Sequence, residues 1–246
     1  MAMEPQVRKW LEWVKVTSIP LRRLSSTGVI TDIASGCLAD YQGKRFLLTV
    51  AHAADETSSD WMLDLGYDIG KGTEFYRPHG FARLAEITCS SGAIRLIDFS
   101  FAEVPLDLVS IYQEVTPRCI SEEQPRHVFA LDFSSLTKSD QIYGFSGQVR
   151  PEFHGSTNLV VEMAIYPGLR YLRTEDEFDI FQLPVEHPGH EAFNGCSGAP
   201  IVDMHERVVA LVTDGCTATN TIRGISLARF KTAFDAYIAG VLTYGG

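Results

Sequence analysis

The segment Asn194-Gly195-Cys196-Ser197-Gly198-Ala199-Pro200 has the composition of a turn that brings a hydroxyl out of a loop and into a strand, since the apolar pair Ile201-Val202 follows it directly. Gly195 can take backbone conformations closed to other residues. Its N–H and that of Ser197 can then aim at one point, and two such donors can hold an oxyanion. Pro200 stiffens the entry to the strand. A hydroxyl is a useful nucleophile only when a base takes its proton, so this chemistry requires a histidine and a group that orients it. His52 qualifies, because Leu47-Leu48-Thr49-Val50-Ala51 before it reads as a buried strand whose end would hold an imidazole rigidly. Asp98 is the third member, a lone acid between Ile94-Arg95-Leu96-Ile97 and Phe99-Ser100-Phe101. A structural Gly/Pro turn, a packed histidine and a turn-capping aspartate would each look the same singly, so order and spacing carry the reading.

Short apolar runs between turn residues must position these groups. Gly28-Val29-Ile30-Thr31, Ser35-Gly36-Cys37-Leu38-Ala39, Phe46-Leu47-Leu48-Thr49-Val50 and Ala93-Ile94-Arg95-Leu96-Ile97 read as strands at the spacing of an all-β barrel or sandwich. A looser, acidic stretch at residues 116–125 interrupts them. The runs resume at Val128-Phe129-Ala130-Leu131, Leu159-Val160-Val161, Pro200-Ile201-Val202 and Val208-Val209-Ala210-Leu211-Val212. The pattern predicts one domain of two β halves, residues 16–115 and 126–246. Val7, Trp10, Leu11 and Val14 recur at helical spacing and predict a short amphipathic helix over residues 5–15, lying on the body of the domain. Leu227, Phe230, Phe234, Ile238 and Val241 predict a C-terminal helix that packs one face on the second half.

His52, Asp98 and Ser197 occur in the order His, Asp, Ser, with 46 residues from the first to the second and 99 from the second to the third. In order, spacing and local motifs the chain resembles the chymotrypsin/trypsin-like serine proteases over residues 25–235. Thr49-Val50-Ala51-His52 is similar to the family's Thr-Ala-Ala-His, Asp98-Phe99-Ser100 to its Asp-x-Ala, and Gly195-Cys196-Ser197-Gly198-Ala199-Pro200 to its Gly-Asp-Ser-Gly-Gly-Pro. The resemblance implies an all-β double barrel with a short helix at each end. It also implies Ser197 as nucleophile, His52 as general base and then acid, Asp98 as the group that fixes the imidazole, and the N–H groups of Gly195 and Ser197 as oxyanion hole. Val212-Thr213-Asp214-Gly215 resembles the family's Val-Ser-Trp-Gly strand, which implies Thr213 as a hydroxyl behind Asp98, and Asp214 with Gly215 along a peptide-binding edge. Glu191, six before the nucleophile, would lie at the base of the primary pocket and favour Lys or Arg in the substrate. Two departures stand out. Cys196 replaces the Asp that pairs with a newly cut N-terminus in secreted members, and Ala53 replaces the Cys after the catalytic His. Both move the resemblance toward the bacterial, disulfide-free branch, with no activation by proteolytic cleavage.

Charge and cysteine usage narrow the remaining classes. Twenty-one Lys+Arg against 31 Asp+Glu give a formal charge of -10, which disfavours nucleic acid and anionic membranes as partners. Cys37, Cys89, Cys119, Cys196 and Cys216 are odd in number and fit no Cys-x-x-Cys spacing, so they predict no disulfide framework. Charges interrupt the apolar runs of the first residues, and a cytoplasmic setting is expected. Asp107 is a second acid that could serve in place of Asp98, though its Pro105-Leu106-Asp107 context reads as a turn. His187-Pro188-Gly189-His190 with Glu186 or Glu191 offers metal-type side chains, but Pro and Gly break the helix that a zinc protease motif needs, so no metal and no cofactor is expected. Cys196 is a rival nucleophile, one residue early in the motif. The expected function is a serine endopeptidase acting on a protein or peptide substrate, restrained by a narrow cleft or by a regulatory protein partner on the N-terminal helix. The alternative is a protease fold kept as a non-catalytic binding module.

Overall fold

The computed structural model describes residues 4–54, 60–68, 70–87, 92–116, 119–154 and 158–241, without the side chains of 115, 116, 119–122, 153, 154 and 158. The helix α1 (Pro5–Lys15) opens the chain with Pro5 in its first turn, where a missing N–H costs nothing. The apolar runs that follow form β1 (Ile19–Leu24), β2 (Ile30–Tyr41), β3 (Lys44–Thr49), β4 (Trp61–Asp68), β5 (Gly72–Tyr76), β6 (Ala82–Ile87) and β7 (Ile94–Val104). These lie side by side in the order β5-β4-β1-β2-β3-β7-β6.

Of residues 116–125, expected as a loose connection, those described, 116 and 119–125, instead pair in two strands, β8 (Ile111–Thr116) and β9 (Cys119–Pro125). Backbone pairing needs no apolar alternation, and Pro125 sits at the strand's end, where a missing donor is tolerated. Strand β10 (Val128–Ala130), grouped with the second half on sequence, pairs in parallel with Leu38, Ala39 and Asp40 of β2. The reason lies in β2, which pairs with β1 only up to Gly36 and with β3 from Cys37 on its other side, leaving one edge open. The later strands β11 (Ile142–His154), β12 (Asn158–Glu175), β13 (Phe178–Gln182), β14 (Pro200–Asp203), β15 (Val208–Cys216) and β16 (Thr221–Ser226) close a barrel in the order β11-β12-β13-β16-β15-β14.

Both helices tie these layers together. Trp10 and Val14 of α1 are buried, the Trp10 indole donates to the Asp203 carbonyl at 2.8 Å, and Ser146 Oγ donates to the Val14 carbonyl at 2.6 Å. The C-terminal helix α2 (Lys231–Ile238) corrects its expectation, because it packs on the first sheet rather than the second half. Phe234 stacks on Phe101 at 4.6 Å and meets Phe46 edge-on at 5.0 Å, while Phe230 stacks on Phe99 at 4.0 Å. The helical stripe defines a buried face, and the aromatic side chains of β3 and β7 are its complement. Among the described residues no helix is long and apolar enough to cross a membrane. Cys37, Cys196 and Cys216 are free thiols; Cys89 and the side chain of Cys119 lie outside the described residues.

Candidate active site

Strand register brings His52 and Asp98 together. In the β3–β7 pair Thr49 faces Ser100, two residues from Asp98 on β7 and three from His52, and the Ala51 amide donates to the Asp98 carboxylate. His52 follows in the 3-10 turn Ala51–Ala54 that caps β3. Its Nδ1 lies 2.9 Å from Asp98 Oδ2 and 3.0 Å from Oδ1, and its backbone N–H donates to Oδ1 at 3.0 Å. A carboxylate can only accept, so Nδ1 carries the hydrogen and Nε2 keeps a free lone pair. The Asp98 hydrogen bond raises the His52 pKa above its ordinary 6.5 against the opposing pull of burial, with help from the charges of Asp98 and Asp214. Burial pulls the Asp98 carboxyl upward, but the imidazole and the backbone amides of His52 and Ala51 more than offset this and hold it below the usual 3.8.

Ser197 is presented by a turn clamped from two sides. Gly198 N–H donates to the Val212 carbonyl and Val212 N–H to the Ala199 carbonyl, both at 2.8 Å, which fixes the segment to β15. On the other side Ser35 of β2 donates its N–H to the Ser197 carbonyl at 2.9 Å and its hydroxyl to the Gly195 carbonyl at 2.7 Å. Thr49 Oγ1 donates in turn to the Ser35 carbonyl at 2.8 Å. Gly195 has φ +97° and Gly198 φ +87°, and a Cβ on Gly198 would come within 2.1 Å of the Ser35 carbonyl oxygen. Only glycine fits either place. With the carbonyls of this turn engaged, the N–H groups of Gly195 and Ser197 have no acceptor among the described residues. The Ser197 hydroxyl rests 3.5 Å from the Thr213 carbonyl.

Cys196 points the other way. Its thiol is buried against Gly147, where an added Cβ would lie 2.7 Å from Sγ, and burial pushes its pKa up to about 12. A thiol so far from ionisation and solvent cannot act as the nucleophile.

A cleft of about 390 Å³ opens beside Ser197, lined by His190, Glu191, Thr213, Asp214 and Gly215 among others. Glu191 stands exposed in the 3-10 turn His190–Phe193. Strand β14 covers β15 only from Val208 to Leu211, so beyond Val212 one edge of β15 is free to pair. Thr213 departs from its expectation: it is the bulged residue in the β15–β16 pair, and its hydroxyl donates to the Arg223 carbonyl at 3.1 Å instead of backing Asp98. Asp107 lies in the turn after β7, where its charge acts on Arg45. His187 is buried against Phe193, with ring centroids 4.7 Å apart, and its Nδ1 accepts from Gly189 N–H at 3.1 Å. Sequence reasoning missed Ser35 and Thr49, buried polar residues in otherwise apolar strands; that mismatch was the available signal.

No protein-family model matches the sequence, and no curated protein sequence matches it. Solved structures do. Human heparin binding protein is similar at a TM-score of 0.58 with 12% identity, covering 100% of this chain and 96% of its own. An inactivated protease paralogue of the scabies mite reaches 0.58 with 11% identity, covering 94% and 96%. A serine endoprotease from Yersinia pestis reaches 0.51 with 9% identity, covering 98% of this chain and 67% of its own. The chain therefore has the chymotrypsin/trypsin-like fold that its three motifs resemble.

Proposed function

We propose that the chain is a serine endopeptidase with Ser197 as nucleophile, His52 as general base and acid, and Asp98 as the residue that orients His52. One pairing of observations supports this reading: Asp98 holds His52 through Nδ1 at 2.9 Å, and Ser197 lines a cleft beside two unengaged backbone amides. The Asp214 carboxylate, which lines that cleft, also acts on His52.

With Nδ1 donating to Asp98, His52 Nε2 takes the Ser197 proton as the oxygen attacks the substrate carbonyl. The attack requires Ser197 to rotate away from the Thr213 carbonyl, a tightening common when substrate enters an empty site. The tetrahedral oxyanion is received by Gly195 N–H and Ser197 N–H, which donate nothing else and need no reorganisation. His52 then gives its proton to the leaving amine, the acyl group stays on Ser197, and water reverses the sequence. The substrate chain adds as a strand to the open edge at Asp214 and Gly215, and its side chain enters the cleft beside Glu191. No cofactor is required.

The scabies mite paralogue is named as inactivated, so this fold alone does not decide between a peptidase and a binding module. Incubation with a peptide library separates them. Wild type should cleave and His52→Ala should not; intact peptides with well-folded wild type would favour the binding module.

A further inference from the structure

The end of α1, the hairpin β8–β9 and strands β11 and β12 enclose a cavity of about 350 Å³ that the reading above does not use. Arg126 and Lys15 bring positive charge to it, Gln148 a side-chain amide, and Val161, Met163 and Ile165 an apolar wall. These last three alternate along β12, so they project from one face of the strand. Glu114 lies at the rim, and Lys15 is paired with Glu12 at 2.6 Å.

At this cavity two guanidinium groups share one carboxylate. Arg22 is 3% and Arg126 7% exposed. Arg22 donates to Gln148 Oε1 and lies 3.4 Å from Asp64. Arg126 donates to the Ser18 carbonyl and sits 5.4 Å over the Tyr112 ring, with Asp64 as the acid that acts on it. Nη1 of Arg22 and Nε of Arg126 are buried without a hydrogen-bond partner. Arginine stays protonated, and a buried cation without its own counter-charge is costly. Arg22, Arg126 and Asp64 thus carry one positive charge in excess between them, next to a cavity with an apolar side.

We propose that this cavity binds an organic carboxylate, whose single charge meets Arg126 and whose apolar body lies on Val161, Met163 and Ile165. One charge matches the excess, whereas a phosphate monoester would bring nearly two. Gln148 links this cavity to the turn of Ser197, because its backbone oxygen would lie 2.3 Å from a Cβ on Gly195.

Calorimetric titration of the full chain with sodium hexanoate at constant ionic strength tests the site without any turnover assay. Hexanoate should bind saturably at one site, and 1-hexanol and inorganic phosphate at least about tenfold more weakly. Arg126→Met should weaken hexanoate binding about tenfold or more, while Arg173→Gln, an exposed arginine paired with Glu175, should leave it unchanged. Should Arg126→Met not fold, Met163→Glu, which places a like charge on the partly exposed wall, should abolish binding. No saturable binding of hexanoate by wild type, equal binding of hexanol, or unchanged affinity in folded Met163→Glu would overturn the site. Phosphate binding in preference to hexanoate would overturn the carboxylate assignment.

Discussion

Gly195→Ala strikes the turn on which the proposed chemistry depends. Asn194 at φ -59°, ψ 119° and Gly195 at φ +97°, closed by Cys196 N–H to the Phe193 carbonyl at 2.9 Å, form a type II turn. An L side chain held in this left-handed conformation costs about 1–2 kcal/mol. Its Cβ would also fall 2.3 Å from the Gln148 carbonyl oxygen and 2.5 Å from Ile33 Cδ1, and the first of these is backbone in a barrel strand that cannot retreat cheaply. The cheapest relief turns the Asn194–Gly195 peptide over, which removes the left-handed requirement and swings the residue 195 N–H away from the oxyanion. Losing one oxyanion donor costs about 10²–10³ in kcat, or about 2.7–4 kcal/mol. Gly195→Ala should therefore lower kcat by that factor with KM nearly unchanged, and thermal melting should still show a cooperative fold. Steady-state kinetics on a cleaved library peptide reads the effect. A folded Gly195→Ala enzyme with kcat within about threefold of wild type would refute the reasoning.

Further outcomes follow from the same geometry. Asp98 favours the protonated imidazole, so the folded-state pKa of His52 lies above 6.5 and the neutral base is lost as pH falls through that value; the acid limb of kcat/KM should lie above 6.5 and move down in Asp98→Asn. A limb at or below 6.5 in wild type would contradict the His52–Asp98 pairing. Among Cys37, Cys196 and Cys216, maleimide should modify Cys216 first in the native protein, since a Thr219 hydrogen bond lowers its pKa while burial raises the other two; mass mapping that finds Cys196 labelled first would count against its burial. If Glu191 selects Lys or Arg, cleavage after these residues should collapse in Glu191→Ala, and an unchanged preference in library profiling removes it from the cleft's specificity. Trp10→Ala should destabilise the fold by about 3–5 kcal/mol, read by urea melting, because it empties a buried site and deletes the bond to Asp203; a loss under about 1 kcal/mol would mean that α1 merely lies on the surface.

The candidate triad was legible because each member sits in a short local motif, where neighbouring residues alone describe a strand end or a turn. What holds those motifs was not legible. Ser35 and Thr49 reach from the first sheet to the turn of Ser197, and Gln148 backs Gly195 from β11; a single sequence carries no pattern for such contacts between separate segments. The helical stripe of α2 showed that one face is buried but not against which sheet, since Phe234 would satisfy any aromatic partner. Thr213 shows a finer limit: one bulge in β15 redirects its hydroxyl, and bulges leave little trace in residue type. Both strands of the hairpin at residues 111–125 went unseen because their pairing is a backbone property.

The central claim is that Ser197 is a nucleophile activated in this fold, and covalent labelling tests it most directly. Wild-type protein treated with a fluorophosphonate probe should gain one adduct, mapped to Ser197, and Ser197→Ala should gain none. Absence of any adduct on well-folded wild type, or labelling that persists in Ser197→Ala and vanishes in Cys196→Ala, would contradict it.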